Sequence, residues 1–427
     1  VSEGRSSPGD PQHQQPDAPV GMPPGLSRRT AIGLMLIPLM HGIGQSLVFA
    51  ILPSVARDLG ISETRVGMVY MLPAAAWSVM TAWWGHRCDI WDRKPILLLS
   101  LLGFAISTLI FAGAAAFAYA GVYGATTLWL LILFSRLLYS GMSSGALPAG
   151  TSYLIQATPP RKRTASIGRF TASWNLGTLL GPGIIGVLTT FGVLTPLFAT
   201  AAFAFLLWLP LRRFLDSQHP APHPSGSRTR LSVLDPRIRS ILLIGLCASM
   251  AQGTLLQTLG YYFMDRLGIA SGDAPRVVGI ALMLAAFSTL FSQIVVVGRL
   301  QVSPLVLQLV GLGINGAAFT GLILSTSTLH AWLATMLCGM GYGLLRPGNI
   351  TQASLAVSSH EQGAVAGLNG ALWAAGFIIT PMFAMPLHAI DPRLPYVAVL
   401  GILALAMAGG LRSRHLGKTR IEEASSC

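Results

Sequence analysis

The sequence predicts an all-α membrane protein, with twelve transmembrane helices arranged as two pseudo-symmetric six-helix bundles. Three observations carry that prediction. The 427-residue chain is 52% hydrophobic and only 10% charged, where a soluble domain carries about 25% charged residues. Apolar stretches of about 17–25 residues, each long enough to cross a hydrocarbon core of about 30 Å as a helix, recur along most of its length. Landmarks of the first half also return in the second. The apolar runs are continuous and do not alternate at period two, which argues against a β-barrel.

Taken in order, residues 1–29 are rich in Pro, Gln and Ser without apolar periodicity, and read as a disordered cytoplasmic tail with no signal-peptide h-region. Met22, just before the first apolar run, is a candidate translation start. Spans follow at 30–52, 66–86, 95–117, 126–154, 164–188 and 193–211, making an N-terminal half over 30–212. A polar segment at 213–238 reads as a cytoplasmic linker. The C-terminal half, 239–412, has spans at 239–263, 276–298, 304–326, 329–355, 363–388 and 394–411, and a cytoplasmic tail closes the chain at 413–427.

Charge placement sets the expected orientation. Of the 28 Lys and Arg residues, only Arg57, Arg65, Arg266, Arg276 and Arg393 fall on one side, while Arg136 and Arg346 lie inside spans. All the others fall on the opposite side, which the positive-inside rule makes cytoplasmic together with both termini and the linker. The formal charge of +13 is therefore a topology signal and not a nucleic-acid surface, since no single soluble face collects it. The four cysteines, Cys88, Cys247, Cys338 and Cys427, are scattered. They give neither a disulfide framework nor, with the histidines, metal-ligand spacing.

Two internal echoes support duplication in parallel. ARDLGIS (56–62) returns as MDRLGIA (264–270), each between the first and second spans of its half. Gly168, Trp174, Gly177 and Pro182 of the fifth span return at a single offset as Gly367, Trp373, Gly376 and Pro381 of the eleventh.

With these residues in place, the chain resembles the major facilitator superfamily over essentially 29–412, in particular its twelve-helix drug and metabolite:proton antiporters. GHRCDIWDRKP (85–95) is similar to the family's loop signature between helices 2 and 3, with Gly85, Asp89, Arg93 and Lys94 matching and Asp92 where a second Gly is usual. The resemblance implies that Asp89 latches the cytoplasmic side against the other half. In the fifth span, Gly168, Gly177, Gly181, Pro182 and Gly186 resemble the antiporter motif, with Ile185 replacing one Gly. A glycine ladder lets two helices approach closely, and Pro182 supplies a bend point. RLLYSGMSSGALPAG, in the fourth span, resembles the family's Arg-then-Gly-rich motif with Gly141 one residue late.

The candidate chemistry is sparse. A mid-membrane charge costs at least about 2.5–3.5 kcal/mol on insertion scales, so Arg136 and Arg346 are substrate-binding candidates by default. Alternatively each satisfies backbone carbonyls or snorkels. Pro347 and Gly348 predict an irregular helix beside Arg346. All 15 acidic residues lie in tails, loops or span ends, so a cavity with two Arg and no acid should prefer an anionic, zwitterionic or neutral polar compound. Gln45, Gln252, Gln257, Asn175, Asn349 and Tyr139, with Tyr261 and Tyr262, are candidates to line it. For protons as coupling ion, His41 and Asp89 are the titratable candidates; a hydrogen-bonded core histidine is the alternative for His41.

No GxxxxGK[ST], nucleophile or metal constellation is present, so no cofactor, metal or enzyme activity is expected. The leading expectation is a proton-coupled exporter of a small organic molecule, a drug or a metabolite such as a carboxylate-bearing siderophore, working by alternating access. It would act as a monomer in the bilayer of the cell's inner (plasma) membrane, with no nucleic-acid partner. An importer or facilitator of an organic anion is the alternative on the same scaffold, and a transporter-like ligand sensor the alternative from another class.

Overall fold

The computed structural model describes residues 27–218, 231–297, 299, 302–358 and 360–425, with side chains described except at 160, 161, 164 and 411–425. The expected N-terminal tail therefore lies almost wholly outside the described residues, as does the 219–230 part of the expected linker.

Every apolar run becomes helix. The first half comprises α1 (Arg28–Asp58), α2 (Glu63–Arg87), α3 (Arg93–Tyr119), α4 (Ala125–Ser143), α5 (Ala146–Ala157), α6 (Pro160–Leu188) and α7 (Thr195–Phe214). In the second half are α8 (Arg239–Leu267), α9 (Ala274–Phe291), α10 (Pro304–Leu324), α11 (Thr328–Leu355), α12 (Gln362–Ile390) and α13 (Leu394–Ser425). The predicted fourth span is the α4–α5 pair, interrupted at Ser144 and Gly145 in the Gly-rich stretch, and α9 continues into a π-helical segment, Ser292–Val297.

Among the described residues nine spans are long and apolar enough to cross a membrane. The other three are α6, whose first turns are basic; α11, which holds Arg346, Asn349 and Gln352; and α13, apolar only over Leu394–Gly410. Two expectations about helix shape change. The last helix runs past the predicted span end at 411 and on to Ser425. The irregularity expected beside Arg346 is absent: α11 passes through Pro347 as continuous α-helix.

The packing repeats as the sequence does. In the first half α1 packs on α6, α2 on α4, α3 on α4 and α3 on α7; in the second α8 packs on α12, α9 on α11, α10 on α11 and α10 on α13. These are the same four pairings with each span advanced by six. The halves meet through α2 with α12 and α6 with α9, which are each other's symmetry mates, and through α1 with α8. Small residues set the approach, as expected where lipid supplies no hydrophobic drive between helices. A Cβ at Gly177 would strike the Leu39 carbonyl, and one at Gly376, its repeat mate, would strike the Ser249 hydroxyl.

The charged loop between α2 and α3 is held by its own half. Asp92 caps α3, its Oδ1 accepting from the Lys94 backbone N–H at 2.9 Å and from that of Gln218 at 3.0 Å. Buried Arg93 donates to Gln156 Oε1 at 2.9 Å and to the Gln218 carbonyl at 3.2 Å. Arg87 lies between the Trp83 and Trp91 rings, at 5.0 and 4.9 Å. Asp92, the departure from the family signature, thus joins a helix cap to the start of the linker. Asp92→Ala is expected to cost about 1 kcal/mol for the lost cap and to speed tryptic cleavage of the linker, read by apparent Tm and limited proteolysis.

Near the end of the linker, Arg237 bridges Asp235 at 2.8 Å and Glu361 at 2.9 Å. Its guanidinium, with the Ser358 backbone and hydroxyl, holds the Glu361 carboxyl down at about 2. This tie between linker and α12 therefore persists at neutral pH and is lost only in strong acid.

Candidate functional site

In the first half an aromatic cage forms around the middle of the bundle. His41 of α1 is fully enclosed, stacked on Phe104 of α3 at 5.6 Å and edge-on to Tyr139 of α4 at 5.8 Å and Trp174 of α6 at 5.9 Å. Trp77 of α2 closes it, stacked on Tyr139 at 5.3 Å and 6.1 Å from Trp174. Arg136, one helical turn before Tyr139, lays its guanidinium over that ring at 4.3 Å. In the second half Arg346 of α11 lies 4.9 Å over Trp373 of α12, the repeat mate of Trp174. Arg136 is half-buried and Arg346 exposed. Among the described residues neither arginine makes a hydrogen bond or ion pair, and no contact joins the two.

The other polar candidates are dispersed. Gln45 and Gln252 are half-buried and Asn175 is exposed. Gln257 is buried and donates to the Phe377 carbonyl at 3.3 Å, while Asn349 is buried and donates to the Ile241 carbonyl at 2.7 Å. The last two bonds tie helices together within one half, so both side chains already have a packing role.

Sequence reasoning missed the densest polar cluster. Arg57 ends α1, Glu63 begins α2, Asp265 lies near the end of α8 and His388 near the end of α12. Arg57 donates to Asp265 Oδ2 at 2.7 Å and to Glu63 Oε1 at 3.2 Å, and His388 Nε2 lies 2.9 Å from the same Asp265 Oδ2. Arg57 also lies 5.4 Å over the ring of Tyr261. Arg57–Asp265 is the one hydrogen bond between the halves among the described residues. Apolar contacts surround it: Pro53 against Gly260, and Gly67 against Pro381 and Met385.

This end of the molecule is closed, and the signal for it was in the sequence. ARDLGIS and MDRLGIA carry the same pair of charges in opposite order, so the pseudo-twofold arrangement sets Arg57 opposite Asp265. Gly60 and Gly268 turn both copies with φ of 70° and 68°, a conformation that glycine adopts without strain. At the opposite end Asp89 is exposed and makes no bond to the second half among the described residues. Among the described residues the halves are hydrogen-bonded to each other at the Arg57 end and not at the Asp89 end.

Comparison with known proteins decides what this architecture is. The sequence model of the Major Facilitator Superfamily matches residues 34–381. The chain belongs to the Major Facilitator Superfamily. It is accordingly an integral multi-pass membrane protein and a transporter, not an enzyme.

Relatives within the superfamily include Multidrug resistance protein 1 of Bacillus subtilis, 24% identical over 378 residues, which span 86% of this chain and 91% of that protein. Another is the class B Tetracycline resistance protein of Escherichia coli, 26% identical over 364 residues, covering 82% and 86%. Among solved structures, a bacterial homologue of the human lysosomal transporter Spinster, in an inward-facing and unoccupied conformation, superposes with a TM-score of 0.72 at 16% identity, covering 91% of this chain and 98% of that one. That likeness supports the fold.

Within the superfamily signature residues, the structure separates the glycines by role. Gly177 and Gly181 press α6 onto α1, where a Cβ at Gly181 would lie 2.8 Å from Ser46 Cβ; Gly85, Gly168 and Gly186 have open space where a Cβ would stand. The carbonyl of Pro182 faces Gly279 of α9 across the boundary between halves, 3.0 Å from where a Cβ would sit. Lys94 supplies the N–H that Asp92 caps.

Proposed function

We propose that this transporter is a proton-driven exporter of small organic compounds bearing an acidic group, and that it moves them by alternating access. The observation that carries the reading is the pair of arginines. Each lies over an aromatic ring in the span region, and neither has a carboxylate partner among the described residues. A cation–π contact is worth about 0.5–2 kcal/mol, less than the about 2.5–3.5 kcal/mol that a mid-membrane arginine costs on insertion scales. The balance favours a bound anion that completes the site with charge-assisted hydrogen bonds.

The name of the Escherichia coli relative fits this reading, since tetracyclines carry acidic groups. The charge bias of the loops favours a cytoplasmic Asp89 end; on that orientation the Arg57–Asp265 end would face outward and substrate would enter from within.

The test is substrate-dependent proton flux in acid-loaded proteoliposomes, with tetracycline and norfloxacin as probes and ethidium as a cationic control. Tetracycline or norfloxacin, but not ethidium, should release the proton gradient. Arg136→Ala and Arg346→Ala should each raise the apparent KM about tenfold, equivalent to about 1.4 kcal/mol. If neither variant alters transport or affinity, the acidic-substrate reading is wrong; transport indifferent to the pH gradient rules out antiport.

A further inference from the structure

The latched end carries more than a salt bridge. Asp265 Oδ2 is shared by two donors, Arg57 from the other half at 2.7 Å and His388 from its own half at 2.9 Å. Side-chain exposure falls from 41% at Arg57 through 24% at Asp265 and 20% at Glu63 to 1% at His388. The buried imidazole uses Nε2 toward Asp265, while Nδ1 is buried and has no hydrogen-bond partner. Glu63, Asp265 and His388 come within 4.8 Å of one another, but the tethered cation of Arg57 already occupies the space among the carboxylates, which leaves little room for a metal ion.

Counting charge by halves shows what a proton would do. In the first half Arg57 has its own counterion in Glu63. In the second half Asp265 has none while His388 is neutral, so its pairing must come from Arg57 across the boundary. A proton on Nδ1 gives Asp265 a cation within its own half and sets a second positive charge beside Arg57. Within this four-residue cluster each half then has its own counterion, and the pull of Asp265 on Arg57 across the boundary is weakened. Closure also buries Nδ1 where a proton finds no acceptor, whereas opening hydrates it. Both effects have the same sign: a proton on Nδ1 is accommodated when this end is open and not when it is closed, so its arrival favours opening.

We infer that His388 is a proton-binding site whose occupancy releases the Arg57–Asp265 latch and opens this end of the transporter. The inference rests on the alternating-access reading above and assigns it a proton site that is neither His41, enclosed in the aromatic cage, nor Asp89, exposed at the unlatched end. Histidine changes charge between about pH 5 and 8, the range across which a proton gradient acts. A part-exposed ion pair is worth about 0–1 kcal/mol, so a latch of this kind can be opened by one proton.

The charged and titratable groups facing the site from neighbouring helices are few. Tyr261 lies 5.8 Å from the His388 ring and within electrostatic reach of Tyr70. Asp58 is engaged by the Tyr119 hydroxyl at 2.7 Å, and Arg266 and Arg393 face Tyr262. None of these changes charge in the histidine range as ordinary side chains, apart from the cluster itself.

The test reads the opening directly. Spin labels at Ser62→Cys and Gly272→Cys, on a background with the native cysteines replaced, report the separation across this end in nanodiscs. Lowering the pH from about 8 to about 5 should lengthen the distance in the parent protein. His388→Gln should hold the short distance at both pH values, and Asp265→Asn, which removes the shared acceptor, should show the long one at both. A His388→Gln protein that lengthens in acid as the parent does overturns the inference, as does a parent whose distance ignores pH. Failure of pH-driven transport in liposomes, with the acid-induced opening intact, would instead count against the antiport reading alone.

Discussion

Gly177→Ala is expected to weaken the α1–α6 pairing by about 1–3 kcal/mol, the usual cost of overpacking an interior, and to lower both apparent Tm and transport. The added Cβ would meet the Leu39 carbonyl, the Leu39 carbonyl carbon at 2.9 Å and the Ile43 nitrogen at 3.0 Å. All are backbone atoms, which cannot rotate away. Relief requires the helices to separate, and separation stretches the Ser46 hydroxyl's 3.2 Å bond to the Thr178 carbonyl. It also carries Trp174 away from His41 and Trp77, so the aromatic cage beside Arg136 loosens with the packing.

Gly168→Ala and Gly186→Ala are the controls, because neither Cβ meets anything within 4 Å. Apparent Tm in detergent at a fixed scan rate separates the cases. Equal losses in all three variants would mean that the motif acts through helix flexibility and not through contact at Gly177.

Much of the architecture could be read from the chain because the bilayer imposes it. A helix that must satisfy its own backbone across about 30 Å leaves a run of apolar residues of fixed length, and every predicted span lies on a helix or an adjoining pair, overrunning its ends by at most two residues. Duplication was legible for a similar reason. Gly177 and Gly376 recur because each allows a close helix crossing, and the structure puts both against a first-span helix of their own half.

The polar site was less legible because its contacts join distant segments. Arg57 and Asp265 stood out only as members of an echo, and nothing local says that a pseudo-twofold axis brings them face to face. His388 is a lone histidine at a span end, and its meaning comes from the Asp265 oxygen that it shares. Arg136 and Arg346 were visible as expensive charges. Their aromatic partners depend on which faces the helices turn toward each other, which low amphipathicity leaves undetermined when lipid and protein interiors are equally apolar.

The Asp92 substitution shows the opposite case, where a departure from a family signature is explained locally. An aspartate before a helix is a good cap, and here the same carboxylate also holds Gln218 at the entry to the linker. Asp89 beside it is exposed and makes no side-chain bond among the described residues.

The central claim is that the latched end must open in every cycle, and a reversible cross-link between α2 and α12 tests it most directly. The ideal Cβ at Gly67 lies 3.4 Å from Pro381 Cβ, close to the about 3.5–4.5 Å typical of a disulfide. The native thiols Cys88, Cys247 and Cys338 are buried, and Cys427, outside the described residues, is replaced by serine. In the Gly67→Cys/Pro381→Cys protein, oxidation is expected to form the bond and abolish transport of the liposome substrate, with full recovery on reduction and no effect of oxidant on either single variant. A cross-linked protein that transports at the reduced protein's rate would contradict the account.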